Sequence, residues 1–268
     1  MIIAQLTDLH VLPAGERLDG VDTNAMLRSA IAHLNALVPA PDVVVISGDL
    51  VEKGNCAAYD ELRRILGGLR LPWYLAVGNH DCRRSLVECL GADSYLPFTG
   101  FVHYAVDTFP VRLVAADTLF EGRGGGQLCP ARLAWLDRTL AARPEAPTLI
   151  FMHHPPFDSG IAWMDAGGFE GAAEFEALAR RHPQVKRIVC GHLHRPIDSV
   201  VGGIHVSVAP STCYQVHLDL SPAASPHIIM EPPACHLHRW DGTRFVTHVS
   251  YIAPTCAPID LGKTAPQV

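Results

Sequence analysis

The sequence predicts an α/β fold with parallel strands. Apolar runs of strand length alternate with amphipathic helical segments in the first half of the chain, and several of these runs end in a glycine turn. With 268 residues and 49% hydrophobic content, the chain can bury one full core. We expect a main domain over residues 1–215 and a C-terminal β-hairpin extension over residues 216–268, which completes the fold or forms an oligomer or cap contact.

The first third of the chain has the pattern β-α-β-α-β. Ile2 to Leu6 and Val43 to Ile46 are apolar runs of strand length. Between them, apolar residues recur at helical spacing after Asp22-Thr23, a candidate N-cap. A second helix from Ala57 to Leu66 leads to the short strand Trp73 to Val77. Parallel pairing of these three strands is expected.

The middle of the chain mixes helices, a hairpin and two long loops. Arg83 to Leu90 is a predicted helix, and the tight turn between Val102 to Val106 and Val111 to Ala116 indicates an antiparallel hairpin. Gly122 to Gly126 favours a mobile connection over a phosphate cradle, because no strand directly precedes it. Pro155 to Gly171 carries apolar residues among glycines, and it either covers a substrate or packs on the core.

From Ile197 onward, the pattern predicts strands throughout. Gly202-Gly203 and Asp241-Gly242 are strong hairpin turns, and the tail past Pro254 is expected to be held loosely. The predicted strands are Ile197 to Val201, Ile204 to Val208, Val216 to Leu220, His227 to Met230, Ala234 to Arg239 and Arg244 to Ile252.

Composition excludes several classes of partner. The net charge of -6 and the pI near 6.2 argue against a protein that binds nucleic acid or anionic membranes generally. No apolar stretch is long enough for a membrane span or a signal peptide, so a cytoplasmic location is expected. The eight cysteines form no C-x-x-C pair, which favours thiols over a disulfide framework and leaves one isolated bridge open.

Five of the strand-like runs end in carboxylate, amide or imidazole side chains. In open α/β sheets the carboxyl ends of the strands face one crevice, so we expect these side chains to converge. Two pairs have i, i+2 spacing, which points both side chains to the same side of an extended backbone. The residues concerned are Asp8 and His10, Asp49, Asn79, His153, and His192 and His194.

Seven oxygen and nitrogen ligands exceed what one tetrahedral ion needs and suit two ions that share a bridge, for which Asp49 is the natural candidate. Mixed histidine and aspartate donors without cysteine favour Fe, Mn, Zn or Co over Ca. Two divalent ions, two carboxylates and a bridging hydroxide sum to one positive charge, which matches the single negative charge of a phosphodiester. The pattern therefore predicts attack of a metal-bound hydroxide on a phosphodiester.

These motifs resemble those of the calcineurin-like metallophosphoesterases, in order and spacing: Asp8-x-His10, Gly48-Asp49, Gly78-Asn79-His80-Asp81, His153 and Gly191-His192-x-His194. Within that superfamily the chain is most similar to the bacterial class III cyclic nucleotide phosphodiesterase and glycerophosphodiesterase subgroup, through residues 151–156 and 220–223. The resemblance implies a four-layer α/β/β/α sandwich with a small C-terminal β appendage, and a homo-oligomer.

The resemblance also implies the role of each residue. Asp8, His10, Asp49 and His194 would bind one metal, and Asp49, Asn79, His153 and His192 the other. His80, positioned by Asp81, would stabilise or protonate the leaving oxygen, so the catalytic set is His80, Asp81, Asn79 and Asp49. One position departs from the nearest glycerophosphodiesterases, which have a histidine where this chain has Tyr214.

The leading hypothesis is a metal-dependent hydrolase of small phosphodiesters, namely glycerophosphodiesters, cyclic nucleotides or both. Alternatives are a phosphomonoesterase or phosphoprotein phosphatase, a nucleotide-sugar pyrophosphatase, a nuclease, and a non-catalytic scaffold. A nuclease would need a basic strip and a scaffold would have lost ligands, and the sequence shows neither feature. We expect His154 to lie beside the metals and His236-Leu237-His238 to bind none, because no acidic or glycine turn accompanies that pair.

Overall fold

Helices and strands alternate over the first part of the chain, and strands dominate after Ile197. The computed structural model describes residues 1–91, 95–97, 100–252 and 260, so the tail past Pro254, apart from Asp260, lies outside the described residues. The helices are α1 (Thr23–Ala36), α2 (Cys56–Leu66), α3 (Arg83–Leu90), α4 (Pro130–Ala141), α5 (Ala162–Asp165) and α6 (Ala172–Arg181). The strands are β1 (Ile2–Leu6), β2 (Val43–Ser47), β3 (Trp73–Ala76), β4 (Tyr104–Val106), β5 (Arg112–Ala115), β6 (Gly126–Gln127), β7 (Thr148–Phe151), β8 (Phe169–Glu170), β9 (Val185–Cys190), β10 (Ile197–Val201), β11 (Ile204–Val208), β12 (Gln215–Val216), β13 (Ile228–Ile229), β14 (Ala234–Trp240) and β15 (Phe245–Tyr251).

The first sheet has the strand order β15-β14-β1-β2-β3. β1, β2 and β3 pair in parallel, which confirms the β-α-β-α-β prediction. The hairpin of β14 and β15 turns at Asp241-Gly242 and adds to β1 antiparallel, with Gln5 opposite His236. The last strands of the chain are therefore part of the same sheet as the first.

The second sheet has the order β10-β11-β9-β7-β5-β4, and its side chains alternate between two cores. Leu113 of β5 and Phe151 of β7 belong to the core shared with the first sheet. Val114, the next residue of β5, packs instead with Leu136 of α4 and Phe175 of α6. Because α1 and α2 pack on the first sheet in the same way, the chain forms the predicted four-layer α/β/β/α sandwich.

Three segments differ from their predictions. Gly126, at the end of the predicted mobile connection, lies in β6 and pairs with Phe169 of β8, so the two long loops pair with each other. Residues 155–171 contain the short helix α5 as well as β8. The predicted strand Val216 to Leu220 shortens to Gln215–Val216, because Leu218 and Leu220 are exposed and have no sheet to pack on.

The cysteines and the hydropathy of the helices are the remaining features of the fold. Cys56 in α2 and Cys89 in α3 form one disulfide. The sequence favours free thiols in general but is compatible with one isolated disulfide. The other cysteines within the described ranges are free. No helix in the described part of the chain combines the length and the apolar character that crossing a bilayer requires.

Candidate metal centre

The seven predicted ligands lie beyond the ends of β1, β2, β3, β7 and β9, and the structure brings them together at one edge of the sandwich. Each of the groups of histidine and acidic residues close enough to hold an ion, within the described ranges, draws on this cluster. These groups are Asp8, His10 and His194; His10, Asp49 and His80; Asp8, Asp49 and His153; and His153, His154 and His192.

Two glycines allow the strand ends to approach closely. A Cβ atom on Gly78 would lie 2.2 Å from Oδ1 of Asp49, and one on Gly48 would lie 2.5 Å from Nδ1 of His153. The N–H of Asp8 also donates to the carbonyl of Gly48, at 3.1 Å. Any larger residue at either glycine would push the candidate ligands apart.

Five candidate ligands have a left-handed backbone. The i, i+2 spacing predicts extended pairs, and that prediction is wrong, because both members of each pair have positive φ. A non-glycine residue in this region costs roughly 1 kcal/mol or more, and such residues concentrate at functional sites. The φ angles are 51° for Asp8, 44° for His10, 46° for Asp49, 71° for His192 and 53° for His194.

Asp8, His10 and His194 form the first half of the cluster. Nε2 of His10 lies 3.1 Å from Nε2 of His194, which in turn lies 3.2 Å from Oδ1 of Asp8. Oδ2 of Asp49 lies 3.8 Å from Nε2 of His10. All four groups are buried, and the ligand atoms of Asp8, His10 and His194 lie within 4.8 Å of one another.

His153 is at the centre of the second half. Its Nε2 lies 3.1 Å from Oδ1 of Asn79 and 3.3 Å from Oδ2 of Asp49. The His192 ring lies 5.2 Å from the His153 ring, centroid to centroid. Asp49 therefore reaches both halves with one carboxylate oxygen, as a bridging ligand must.

The tautomers of three histidines fit bound metal ions. Nδ1 of His10 donates to the Glu52 carboxylate at 2.7 Å, Nδ1 of His194 to the Tyr214 carbonyl at 2.9 Å, and Nδ1 of His153 to the Ser47 carbonyl at 2.9 Å. In a neutral imidazole this leaves Nε2 as a lone pair, and these lone pairs face each other and carboxylate oxygens. Either a second proton or a metal ion removes the repulsion between these acceptors, and imidazole nitrogens and carboxylate oxygens are both metal ligands, so the donor set fits metal ions.

The electrostatics keep the carboxylates ionised. Burial raises the pKa of Asp8, but the neighbouring His194 lowers it, and the pKa that results is about 2. Burial has the same effect on Asp49, and His153 overcomes it, so the pKa of Asp49 falls well below its usual range. Burial lowers the pKa of His192 to about 3, which keeps that imidazole neutral.

His80 and Asp81 have different surroundings. His80 lines the cavity, with Nε2 3.9 Å from Oδ2 of Asp49, and its Nδ1 donates to the Glu52 carbonyl at 3.1 Å. The Asp81 carboxylate accepts from the N–H of Gly78 at 2.8 Å and from the Tyr59 hydroxyl at 3.0 Å. Asp81 therefore fixes the turn that carries His80, while Glu52 contacts the imidazole itself.

An open cavity of about 300 Å³ lies over the cluster. Its polar lining consists of His10, Asp49, Asn79, His80, His192 and His194, with the Tyr214 ring stacked on His194 at 4.8 Å. Trp163 and Met164 of the 155–171 segment also line this cavity. No lysine or arginine is among the described residues that line this cavity.

The remaining histidine predictions concern His154 and the pair on β14. Nδ1 of His154 lies 2.9 Å from the Thr118 hydroxyl, and its ring lies 4.7 Å from that of His192, beside the cluster. His238 bonds to Gln5 and Thr247 between the sheets, and neither it nor His236 joins a potential metal group in the described part of the chain.

Glu52 is the site residue that sequence reasoning misses. It lies three residues after Asp49, and its carboxylate reaches both His10 and the His80 ring, at 2.7 and 3.5 Å. No motif marks it, because an acidic residue after a strand is common, and only its position beside His10 gives it a role.

A model of the calcineurin-like phosphoesterase family matches residues 1–196, which is well over half of the chain. The chain belongs to the calcineurin-like phosphoesterase family. This family assignment agrees with the four-layer fold and with the cluster of histidine and aspartate ligands at its edge.

Relatives in this calcineurin-like family cover nearly the whole chain. A glycerophosphodiester phosphodiesterase, GpdQ, of Enterobacter lignolyticus is 34% identical over 96% of this chain and 94% of its own length. A probable cyclic nucleotide phosphodiesterase of Rhodopseudomonas palustris is 36% identical over 91% of this chain and 95% of its own length. A dimetal phosphatase from Danio rerio has the same fold, with a TM-score of 0.67 at 15% identity over 94% of this chain and 96% of its own.

Proposed function

We propose that the protein is a dinuclear-metal phosphodiesterase that hydrolyses small phosphodiesters, namely glycerophosphodiesters, cyclic nucleotides or both. The observation that supports it best is the pair of Nε2 atoms of His10 and His194, 3.1 Å apart, with both Nδ1 atoms already hydrogen-bonded. The names of the full-length relatives agree with a diester substrate.

The proposed ligand sets follow from the two halves of the cluster. One ion would be held by Asp8, His10, Asp49 and His194, and the other by Asp49, Asn79, His153 and His192. Imidazole and carboxylate donors without thiolate suit Fe, Mn, Zn or Co. When bound, such a pair supplies positive charge for the phosphoryl oxygens and an activated water for the attack.

The cavity favours a diester over a monoester. A monoester dianion is usually clamped by arginine or lysine, and none lies among the described lining residues. A volume of about 300 Å³ is at the small end of ligand pockets, so it suits a small molecule better than a phosphoprotein or a nucleic acid.

His80 is the proposed proton donor to the leaving oxygen. Its side chain is 36% exposed in the cavity, and its Nδ1 is fixed by the Glu52 carbonyl, which leaves Nε2 directed toward the substrate side. Burial opposes protonation of this ring, but Asp49 and Glu52 raise its pKa above the ordinary value. A protonated Nε2 can then donate to the developing oxyanion.

A homo-oligomer is also proposed. The segment that contains β12 and β13 exposes large apolar side chains, and association of copies would cover them. Light scattering on the purified protein tests this, and a monomer at micromolar concentration would contradict it. The side chains concerned are Leu218, Leu220, Ile228, Ile229 and Met230.

The test of function is a kinetic panel on metal-reconstituted protein. We expect kcat/KM for glycerophosphodiesters, 3',5'-cyclic AMP and 2',3'-cyclic AMP to exceed that for the corresponding monoesters. Asp49→Asn should abolish turnover and weaken metal uptake, because the bridging charge is lost. A strong monoester preference would support the phosphatase alternative, and normal activity of the Asn variant would exclude the bridge.

A further inference from the structure

One tryptophan in the cavity differs from the others in its surroundings. Trp73, Trp135 and Trp240 each contact another ring. Trp163 lines the cavity and is partly exposed, and it has no ring or cation partner in the described part of the chain. Its flat apolar surface is therefore available to a ligand.

Trp163 belongs to an apolar wall, which we define as Trp163, Met164, Tyr214, Val216 and Ile228. These side chains lie beside the metal cluster in the same cavity, and none carries a charge. The phosphoryl group of a substrate is confined to the metal side by its charge. The wall is then the surface that this cavity offers to an ester group of the substrate.

The wall is fixed before any ligand arrives. Oδ1 of Asp165 accepts from the N–H of Ser159 at 2.9 Å and from its hydroxyl at 2.8 Å, and Oδ2 accepts from the N–H of Gly160 at 2.8 Å. Ile161 is fully buried, and its carbonyl accepts from the N–H of Met164 at 2.9 Å. Asp165 thus closes a short loop around the start of α5 and sets the position of Trp163.

The glycine-rich loop, residues 122–126, packs against the segment that carries Trp163. Gly126 pairs with Phe169, and a Cβ atom on Gly125 would lie 2.0 Å from the carbonyl oxygen of Gly167. Gly124 and Gly167 both line the cavity. The close contact of the two backbones holds the end of α5 against the body of the protein.

We propose that Trp163, held in position by Asp165, determines specificity by stacking on a flat aromatic ester group of the substrate. The preferred substrates are then diesters that carry an aromatic group such as a nucleobase, ahead of diesters of glycerol alone. This inference rests on the proposed phosphodiesterase function. Stacking on an aromatic side chain is tolerant of the exact ring, so several bases are expected to bind.

Two diesters with the same leaving group isolate this contact. Bis(p-nitrophenyl) phosphate and methyl p-nitrophenyl phosphate both release p-nitrophenolate, and they differ only in the ester group that remains. We expect Trp163→Ala to lower the ratio of kcat/KM for the aryl diester to that for the methyl diester by about tenfold. The Tm and the metal content of Trp163→Ala, which report the fold and the metals, should match those of wild type.

Trp163→Phe should keep most of the ratio, because a flat ring remains. Asp165→Asn should lower the ratio through KM for the aryl diester, while kcat for the methyl diester stays unchanged. Asp158→Asn is the matched control, since Asp158 is an exposed carboxylate on the same segment with no hydrogen bond to the described residues. A control variant that behaves like Asp165→Asn would contradict the positioning role.

The outcomes separate the two proposals. If wild type hydrolyses both diesters and Trp163→Ala leaves their ratio unchanged, the stacking role is wrong and the phosphodiesterase proposal stands. If metal-loaded wild type hydrolyses neither diester, the proposed function is wrong, and the specificity assignment is overturned with it.

Discussion

The Nε2 atoms of His10 and His194 face each other at 3.1 Å, and while both rings are neutral neither can donate a hydrogen bond to the other. His10 uses its Nδ1–H for Glu52, and His194 uses its own for the Tyr214 carbonyl. Two neutral rings would place their lone pairs against each other in a buried site. Either a second proton on His194, whose pKa burial lowers but Asp8 raises to a net increase, or a metal ion relieves this contact.

Metal ions should stabilise the fold. We expect the Tm of metal-free protein to rise when Mn²⁺ or Zn²⁺ is added, with about 3 kcal/mol of stabilisation at a hundredfold excess over Kd. Differential scanning fluorimetry over a metal titration measures it. The shift should shrink in His194→Ala, which loses a ligand of one of the two ions, and stay complete in His217→Ala, an exposed histidine outside the cavity. A Tm that does not change when metal is added would contradict the proposed metal centre.

Glu52→Gln should weaken metal binding about 10- to 100-fold, because the charged acceptor that orients His10 is lost. Isothermal titration with Mn²⁺ measures this directly. Glu88→Gln is the control, since Glu88 is an exposed residue of α3 that pairs with Arg84. Equal affinities of the Glu52 variant and wild type would show that the 2.7 Å contact does not support the metal site.

Asp117→Asn should lower the free energy of unfolding by about 3–5 kcal/mol. The buried Asp117 carboxylate accepts from Arg83 at 2.7 and 2.8 Å and from the N–H of Val102 at 2.8 Å, and Arg132 lies 3.4 Å away. Urea denaturation measures the loss. Asp137→Asn, at an exposed ion pair, should cost about 1 kcal/mol or less, and an equal cost at both sites would contradict the role of burial.

His236 should make stability depend on pH. Burial lowers its pKa to about 4, below the value of about 6.5 in an unfolded chain. Between these values the unfolded chain binds a proton that the folded protein does not, so the free energy of unfolding falls as pH drops, by about 3 kcal/mol in total. Urea denaturation of His236→Gln should show a smaller fall than wild type. His248→Gln, at an exposed position on β15, should match wild type.

Most of the fold is readable because each parallel strand is an apolar run that stops at a glycine or a polar residue. Ile2 to Leu6 is such a run, and Asp8 follows it directly. The ligand candidates are readable for the same reason, since imidazoles and carboxylates beyond the ends of several parallel strands face one crevice.

The features that the sequence does not predict depend on contacts between residues that are distant along the chain. The positive φ of His10 and His192 cannot be read from the residue type alone, and it accompanies hydrogen bonds between strand ends, from the His10 N–H to the Asp49 carbonyl and from the His192 N–H to the Asp8 carboxylate. Glu52 acquires its role only beside His10, and Trp163 only beside the cavity. The strand expected at Val216 to Leu220 is mostly absent, because only the two residues of β13 pair with it and Leu218 and Leu220 are exposed.

The pairing of β1 with β14 has a consequence for biosynthesis. Ile2 lies opposite Arg239, so one side of β1 has no neighbour until the residues through Arg239 have been synthesised. At about 5–20 residues per second, that interval lasts roughly 10 to 50 seconds. During translation this bare edge is open to other nascent chains, and docking of the late hairpin closes it.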